Sequence, residues 1–381
     1  MKALCVYIDG GKGHYVPAKA VEEKLALMGH EVKLVEFFEL LDIKIVGKIN
    51  KRYWRTMLKM PKYERKMSEK NDHSSSAMDN ASKWICRLLT GKMKKIVEKE
   101  KLDFIFTTHP YPNRFLTDLV RSCGHSEIPV YYFATDVFSV PRATINNGLD
   151  KFYVSTVEGL ESAKAQGQRP DSLKLVPFPL QSSLASSPVL TKSEARKKLG
   201  LEQKPFTLQL NFGGEGLGTT GLLELLGKAD VPMQIVIIGG MRDTMRSKLE
   251  GIIKKFPPHV KVYIRGFVSN VNEYVYAADV VAGRAGINTI VETIYAHRPF
   301  LITETVYTVL ASASYIERYN LGWNASFDYE KQSSIVIDYA THPEKLAEFD
   351  DKFDKVPISY GADELAKIII SDVEEFKKNL K

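Results

Sequence analysis

The chain opens with Ala3-Leu4-Cys5-Val6-Tyr7-Ile8-Asp9-Gly10-Gly11-Lys12-Gly13-His14-Tyr15-Val16-Pro17-Ala18, and the change of character within this stretch decides the fold. Ala3–Ile8 is a short apolar run with β-branched and aromatic members, the pattern of a strand buried on both faces. Gly10, Gly11 and Gly13 follow at once and allow a tight backbone turn. Beyond them Ala18, Val21, Leu25 and Met28 recur at helical spacing. Strand, glycine loop and helix in that order begin a βαβ unit, which implies a parallel sheet.

The same alternation continues outward. Val32–Phe37, Phe104–Thr107, Val130–Thr135 and Phe152–Ser155 read as further strands of a first series. Thr207–Phe212, Gln234–Ile238, Lys261–Ile264, Val280–Ala282 and Pro299–Thr303 form a second. Helical patterns lie between them, so the fold class expected is α/β, with two Rossmann-like doubly wound domains facing a cleft. The expected boundaries are 1–180 for the first domain, 181–191 for a serine- and proline-rich linker, and 192–355 for the second domain. A C-terminal helix over 356–381 could return to the first domain. Ligands of such sheets bind at the carboxyl ends of the strands, which makes the cleft the expected site.

Composition narrows the class. At 381 residues, 44% hydrophobic and 26% charged, the chain has the make-up of an ordered globular protein of about two domains. The longest uncharged run, Leu175–Thr191, is broken by three prolines and cannot form a membrane-spanning helix. The apolar run before Asp9 is too short for a secretory signal. Cys5, Cys86 and Cys123 are far apart and odd in number, which argues against a disulfide framework or a zinc site and for a reducing cytosol. The net charge of +7 is unevenly placed. Residues 1–180 carry 29 basic against 21 acidic side chains, whereas the remainder carries 24 against 25. Lys44–Lys70 alone holds ten basic and two acidic residues, interleaved with Tyr53, Trp54, Met57, Leu58 and Met60. No nucleic-acid reading module accompanies this charge. Basic residues mixed with aromatic and aliphatic ones suit an anionic membrane surface, with Lys48, Lys51, Arg52, Trp54, Arg55 and Lys59 as the contact residues expected. A lysine-rich solvated helix is the plain alternative.

Three glycine clusters carry the candidate chemistry. In the first loop Gly11 and Gly13 could let backbone N–H groups approach an anion or acceptor, but the loop is neither a Walker A sequence nor GxGxxG. His14 at its end titrates near neutrality and could take a proton from an attacking hydroxyl. The second cluster, Asn211-Phe212-Gly213-Gly214-Glu215-Gly216-Leu217-Gly218, holds the same topological place in the second series. The third, Ala282-Gly283-Arg284-Ala285-Gly286-Ile287-Asn288-Thr289, runs from a strand into a helix bearing Glu292. The positive end of that helix suits a diphosphate, and Glu292 is placed to hydrogen-bond ribose hydroxyls.

These pieces, with Arg265-Gly266-Phe267-Val268 and Ala134-Thr135-Asp136-Val137, stand in the same order as in the family 28 glycosyltransferases, which the chain resembles from residue 3 to about residue 325. That group includes processive diacylglycerol glucosyltransferases, plant galactolipid synthases and the transferase making peptidoglycan lipid II. The Thr-Asp segment and the basic, aromatic stretch make the lipid-glycosylating branch the most similar. The resemblance implies a GT-B fold and metal-independent, inverting transfer of a hexose from a UDP-sugar to a lipid acceptor, diacylglycerol or a glycolipid. No cofactor beyond the donor substrate is implied, no metal and no nucleic acid, and the location implied is the inner face of the cell membrane. It implies that Gly266, Phe267 and Val268 meet the base and Glu292 the ribose. Gly213, Gly214, Gly286, Asn288 and Thr289 would meet the diphosphate, with Arg284 stabilising the charge as it departs. Either His14 or Asp136 would remove the acceptor proton.

The chain also departs from the family's pattern. Phe138-Ser139-Val140-Pro141-Arg142 stands where the lipid branch has a histidine after Thr-Asp. Pro177-Phe178-Pro179-Leu180 replaces a Gly-x-Pro with a following arginine, and Val309, Leu310 and Ala313 replace polar residues that bind the donor sugar. A site built for hydroxyls discriminates through such groups, so the donor sugar is not implied. A nucleotide-sugar epimerase or hydrolase of the same fold, or a non-catalytic nucleotide-sugar-binding relative, are the alternatives.

Overall fold

The structure is a computed structural model describing residues 1–9, 12–57, 60–73, 76–181, 184, 188–212, 220–241 and 243–380, the side chains of 61 and 70–87 excepted. The chain divides into two compact units, Met1–Ala185 with Pro357–Lys381, and Ser186–Val356.

The first unit is built on a six-stranded, all-parallel sheet. Its strands are β1 (Lys2–Tyr7), β2 (Glu31–Glu36), β3 (Phe104–Thr107), β4 (Val130–Phe133), β5 (Lys151–Val154) and β6 (Leu173–Leu175), in the order β2-β1-β3-β4-β5-β6. β3 and β4 are buried along their whole length, as strands covered by helices on both faces must be. The helices are α1 (Lys12–Leu27), α2 (Phe37–Leu40), α3 (Lys44–Met57), α4 (Pro61–His73), α5 (Ser76–Glu100), α6 (Pro110–Ser122) and α7 (Val157–Ala165). Leu4, Val6, Ile105, Leu116, Val130 and Phe152 lie in one continuous apolar core with Met93 and Val97 of α5.

The C-terminal helix Ala362–Asn379 packs on α1 in this unit. Its buried Asp372 accepts a hydrogen bond from the Tyr153 hydroxyl at 2.8 Å and pairs with Lys174 Nζ at 2.7 Å. Lys377 on the same helix pairs with Asp103, and Tyr360 just before it bridges to Phe178. Asp372→Ala would leave a buried phenol and a lysine without their shared acceptor. The expected loss is about 1–3 kcal/mol of stability, the cost of leaving the buried Tyr153 hydroxyl without its acceptor; thermal or urea denaturation of the whole chain would measure it.

The second unit carries β7 (Phe206–Asn211), β8 (Met233–Ile238), β9 (Val260–Gly266), β10 (Val280–Arg284), β11 (Phe300–Glu304) and β12 (Gly322–Asn324). They are all parallel and ordered β12-β11-β10-β7-β8-β9. Both units are thus the doubly wound α/β sheets that the alternating pattern predicts. β6 and β12 were not expected. Each is a three-residue edge strand, too short to show a period of two.

In each sheet the strand order reverses once. In the first unit the reversal falls between β1 and β3, and in the second between β7 and β10. Ligands of such sheets bind at the carboxyl ends of the strands beside the reversal. The start of α1, with His14, comes after β1, and Ala285–Thr289 follows β10.

Candidate functional sites at the two switch points

In the first unit β1 and β3 deliver two histidines to one place. His14 lies in the first turn of α1, and His109 follows Thr107-Thr108 at the end of β3. Their ring centroids are 4.3 Å apart, tilted by 58°. His14 Nδ1 lies 2.7 Å from the Thr108 carbonyl oxygen and 3.0 Å from Thr135 Oγ1. A carbonyl can only accept, so the proton must sit on Nδ1. Nε2 then carries the lone pair, and it has no hydrogen-bond partner among the described residues. Thr108 returns the contact, its hydroxyl donating to the His14 carbonyl at 2.8 Å. Shielding from water lowers the His14 pKa from 6.5 to about 4, partly offset by the bond to Thr108. The ring is therefore a neutral base across the physiological range.

His109 is 7% exposed. It caps α6, its Nδ1 accepting from the Tyr111 N–H at 3.2 Å. Burial, then the neighbouring His14, hold its pKa well below the ordinary value. His109, Thr108 and the contact of Thr135 with His14 were not singled out from the sequence. The dipeptide His109-Pro110 directly after a buried strand was the available signal, since proline favours the first turn of a helix.

Asp136 follows β4, half-buried, one residue past Thr135. Its loop is pinned by Thr156 Oγ1, which donates to the Val137 carbonyl. A Cβ on Gly159 would overlap that carbonyl, so α7 can approach this closely only with glycine. The Tyr132 hydroxyl is buried, and burial followed by the charge of Asp136 pushes its pKa up. Gly13 has open space where a Cβ would stand. Gly11 lies outside the described residues.

On α3, Ile45, Ile49 and Tyr53 recur every fourth residue and are 75%, 64% and 42% exposed. Lys48, Lys51, Arg52 and Arg55 are exposed on the same helix, and Trp54 is half-buried against Tyr53. Lys51 is bound to Asp9, the residue before the first glycine loop. Lys59 lies outside the described residues.

In the second unit, the helix Ile287–Tyr295 starts at Gly286, an N-cap that makes no side-chain cap bond. Asn288 and Thr289 stand in that turn, and Thr289 Oγ1 accepts from Asn211 Nδ2 at 3.3 Å, joining the ends of β7 and β10. Gly283 permits the approach, because a Cβ there would lie 2.8 Å from the Asn211 carbonyl oxygen. A register shift between Gly283 and Arg284 puts Arg284 opposite Glu304 on β11. The guanidinium donates to that carboxylate at 2.9 Å. Glu304 is nearly buried, and burial raises its pKa against the opposing pull of Arg284. This pairing was not foreseen from the sequence, since it depends on the β-bulge. Glu292, half-buried in the second turn, has its pKa raised from 4.5 to about 7 by burial. At the end of β9, Gly266 adopts φ +70°, and the adjacent Phe267 side chain is 74% exposed, with Val268 half-buried beyond it. Gly213 and Gly214 lie outside the described residues. Val309 ends a 3-10 turn, Leu310 begins the next helix, and Ala313 is buried. Among the described residues no group of three or more His, Cys, Asp or Glu could hold a metal, and no helix is long and apolar enough to cross a membrane.

Comparison with known proteins agrees with this layout. Residues 14–180 match the family model for monogalactosyldiacylglycerol (MGDG) synthase. Monogalactosyldiacylglycerol synthase from Spinacia oleracea is 26% identical over 55% of this chain and 41% of its own length. Monogalactosyldiacylglycerol synthase 3 from Arabidopsis thaliana is 23% identical over 80% of this chain and 66% of its own. The match therefore spans less than half of the spinach relative. Among solved structures, MurG of Acinetobacter baumannii superposes with TM-score 0.63 at 14% identity, over 98% of this chain and 99% of that one. UDP-GlcNAc 2-epimerase from Neisseria meningitidis, bound to UDP-GlcNAc, superposes with TM-score 0.61 at 14% identity, over 98% and 100%. The chain has the GT-B fold and resembles, in sequence, the monogalactosyldiacylglycerol synthases of glycosyltransferase family 28.

Proposed function

We propose that this protein is an inverting, metal-independent hexosyltransferase that moves a sugar from a UDP-sugar to the hydroxyl of a lipid acceptor, diacylglycerol or a glycolipid, at the cytoplasmic face of a membrane. The observation that carries the reading is the His14 tautomer: Nδ1–H is held on the Thr108 carbonyl, and Nε2 is left as a neutral base at the switch point of the first sheet. Nε2 takes the proton from the acceptor hydroxyl as its oxygen bonds to the anomeric carbon. The bond from that carbon to the diphosphate oxygen breaks, and its electron pair leaves with UDP. The first-turn N–H groups of Ile287–Thr289 and the Arg284 guanidinium meet the developing negative charge, a role such fixed dipoles fill without reorganising. Phe267 offers an exposed ring for a base to stack on, and Glu292 a carboxylate for the ribose hydroxyls. Asp136 lies one residue from the hydroxyl that shares His14 Nδ1 and serves the acceptor side of the reaction.

The exposed Ile45–Ile49–Tyr53 stripe, flanked by Lys48, Arg52 and Arg55, is the surface through which α3 meets anionic lipid. Lys51 is engaged by Asp9 and is left out of the test. Each basic residue near such a surface contributes roughly 1 kcal/mol. Reversing Lys48, Arg52 and Arg55 to glutamate is therefore expected to weaken partition onto phosphatidylglycerol vesicles at least 100-fold in a sedimentation assay. Unchanged binding would return α3 to a merely solvated helix.

The function itself is tested by incubating the protein with UDP-galactose, UDP-glucose and UDP-N-acetylglucosamine, with and without diacylglycerol in vesicles. UDP release that requires the lipid, with a glycolipid product, is expected. Conversion of a UDP-sugar without any acceptor would establish an epimerase or hydrolase instead. Nucleotide binding with no turnover would establish a non-catalytic relative.

A further inference from the structure

The His14 imidazole is held at Nδ1 by one carbonyl and one hydroxyl, and a second ring packs against it. That second ring belongs to His109. Its ring lies 4.3 Å from that of His14, centroid to centroid, and it is itself fixed. It has the extended backbone of an N-cap at φ −125° and ψ 141°, and Pro110 after it favours that conformation. The Tyr111 N–H enters its Nδ1, which puts its own proton on Nε2 and makes the ring neutral. The Tyr111 ring packs at 5.2 Å. We propose that His109 is a positioning residue for His14, an immobile neutral ring that keeps His14 Nδ1–H on the Thr108 carbonyl and so keeps the Nε2 lone pair directed at the acceptor hydroxyl. The inference rests on the role of His14 proposed above.

Two substitutions separate the ring from the cap. His109→Asn retains a good N-cap but removes the ring; His109→Phe retains a ring of similar outline but removes the cap. The first readout is the ¹⁵N spectrum of histidine-labelled protein, which reports the His14 tautomer whether or not the enzyme turns over. The second is steady-state kinetics with UDP-sugar and diacylglycerol vesicles. For wild type the Nδ1–H tautomer of His14 is expected. For His109→Asn a mixture of tautomers is expected, with kcat down by tenfold or more, KM for the UDP-sugar within twofold of wild type, and little change in Tm. For His109→Phe the expectation is a lower Tm with the His14 tautomer and most of kcat retained. An unchanged His14 tautomer and kcat in His109→Asn would overturn the proposal, as would equal losses of Tm and kcat in both variants. If wild type shows no transfer but His109→Asn still scrambles the His14 tautomer, positioning stands and the transferase reading falls.

Discussion

His14→Ala is expected to lower kcat for lipid glycosylation by 10²–10⁴-fold, the range typical for removing a positioned general base, while the Kd for UDP changes less than twofold. The split follows from where the residue sits. His14 belongs to the first unit, at the end of β1, and the nucleotide-binding groups proposed here all belong to the second. Isothermal titration with UDP and initial rates with lipid vesicles would check both halves. Equal loss of binding and turnover would undo the assignment. The pH profile adds an independent sign. With its pKa lowered to about 4, His14 stays unprotonated well below the ordinary 6.5, so kcat at saturating UDP-sugar should not fall on the acid side until the pH approaches 4. The same shift links to stability. The unfolded chain binds the proton at 6.5 and the folded chain only near 4, so stability is full above 6.5 and is lost as the pH falls through that window. His109, lowered in the same direction, adds to the effect. The first unit should therefore be sensitive to mild acid.

Glu292→Ala is expected to weaken UDP binding by about 10–100-fold, the cost of losing hydrogen bonds to a charged acceptor at 1.5–3 kcal/mol, while leaving the His14 tautomer untouched. Here the pH dependence has the opposite sign. Burial raises the Glu292 pKa from 4.5 to about 7, so half of the molecules hold a protonated carboxyl near neutrality. If the ionised form binds ribose, UDP affinity should rise through pH 7 and fall about tenfold per unit below it. Glu292→Gln should flatten that dependence. It should also raise the stability of the second unit above pH 7. A raised carboxyl pKa means stability is greatest below 4.5 and declines as the pH climbs through 7, by up to about 3 kcal/mol at 1.36 kcal/mol per unit. A titration of UDP affinity from pH 5.5 to 8.5 on both variants decides the matter. A flat wild-type profile would remove Glu292 from the ribose.

On the reading proposed above, the departures at Val309, Leu310 and Ala313 fall on the donor-sugar side of the site. Ala313 is part of the core, whereas Leu310 is 37% exposed. The buried hydroxyls of Thr303 and Ser312 near that segment in sequence have no hydrogen-bond partner among the described residues. Turnover across the UDP-sugar panel, rather than the nucleotide half of the site, will therefore define the donor.

The sequence by itself determined the two doubly wound sheets, because strands buried on both faces must be apolar along their whole length and the helices between them must show a 3.6-residue period. It also placed His14, Asp136, Gly286 and Glu292 at strand ends and helix starts, since glycine and polar residues interrupt the apolar pattern there. Tertiary structure alone decided which of these groups meet. His109 is separated from His14 by 95 positions and reaches it only because β3 lies beside β1. Arg284 finds Glu304 through a one-residue register shift that no local pattern encodes. The protonation states also come from the assembled fold, because desolvation depends on what surrounds a side chain in space: it is burial that makes His14 a neutral base and Glu292 a weak acid.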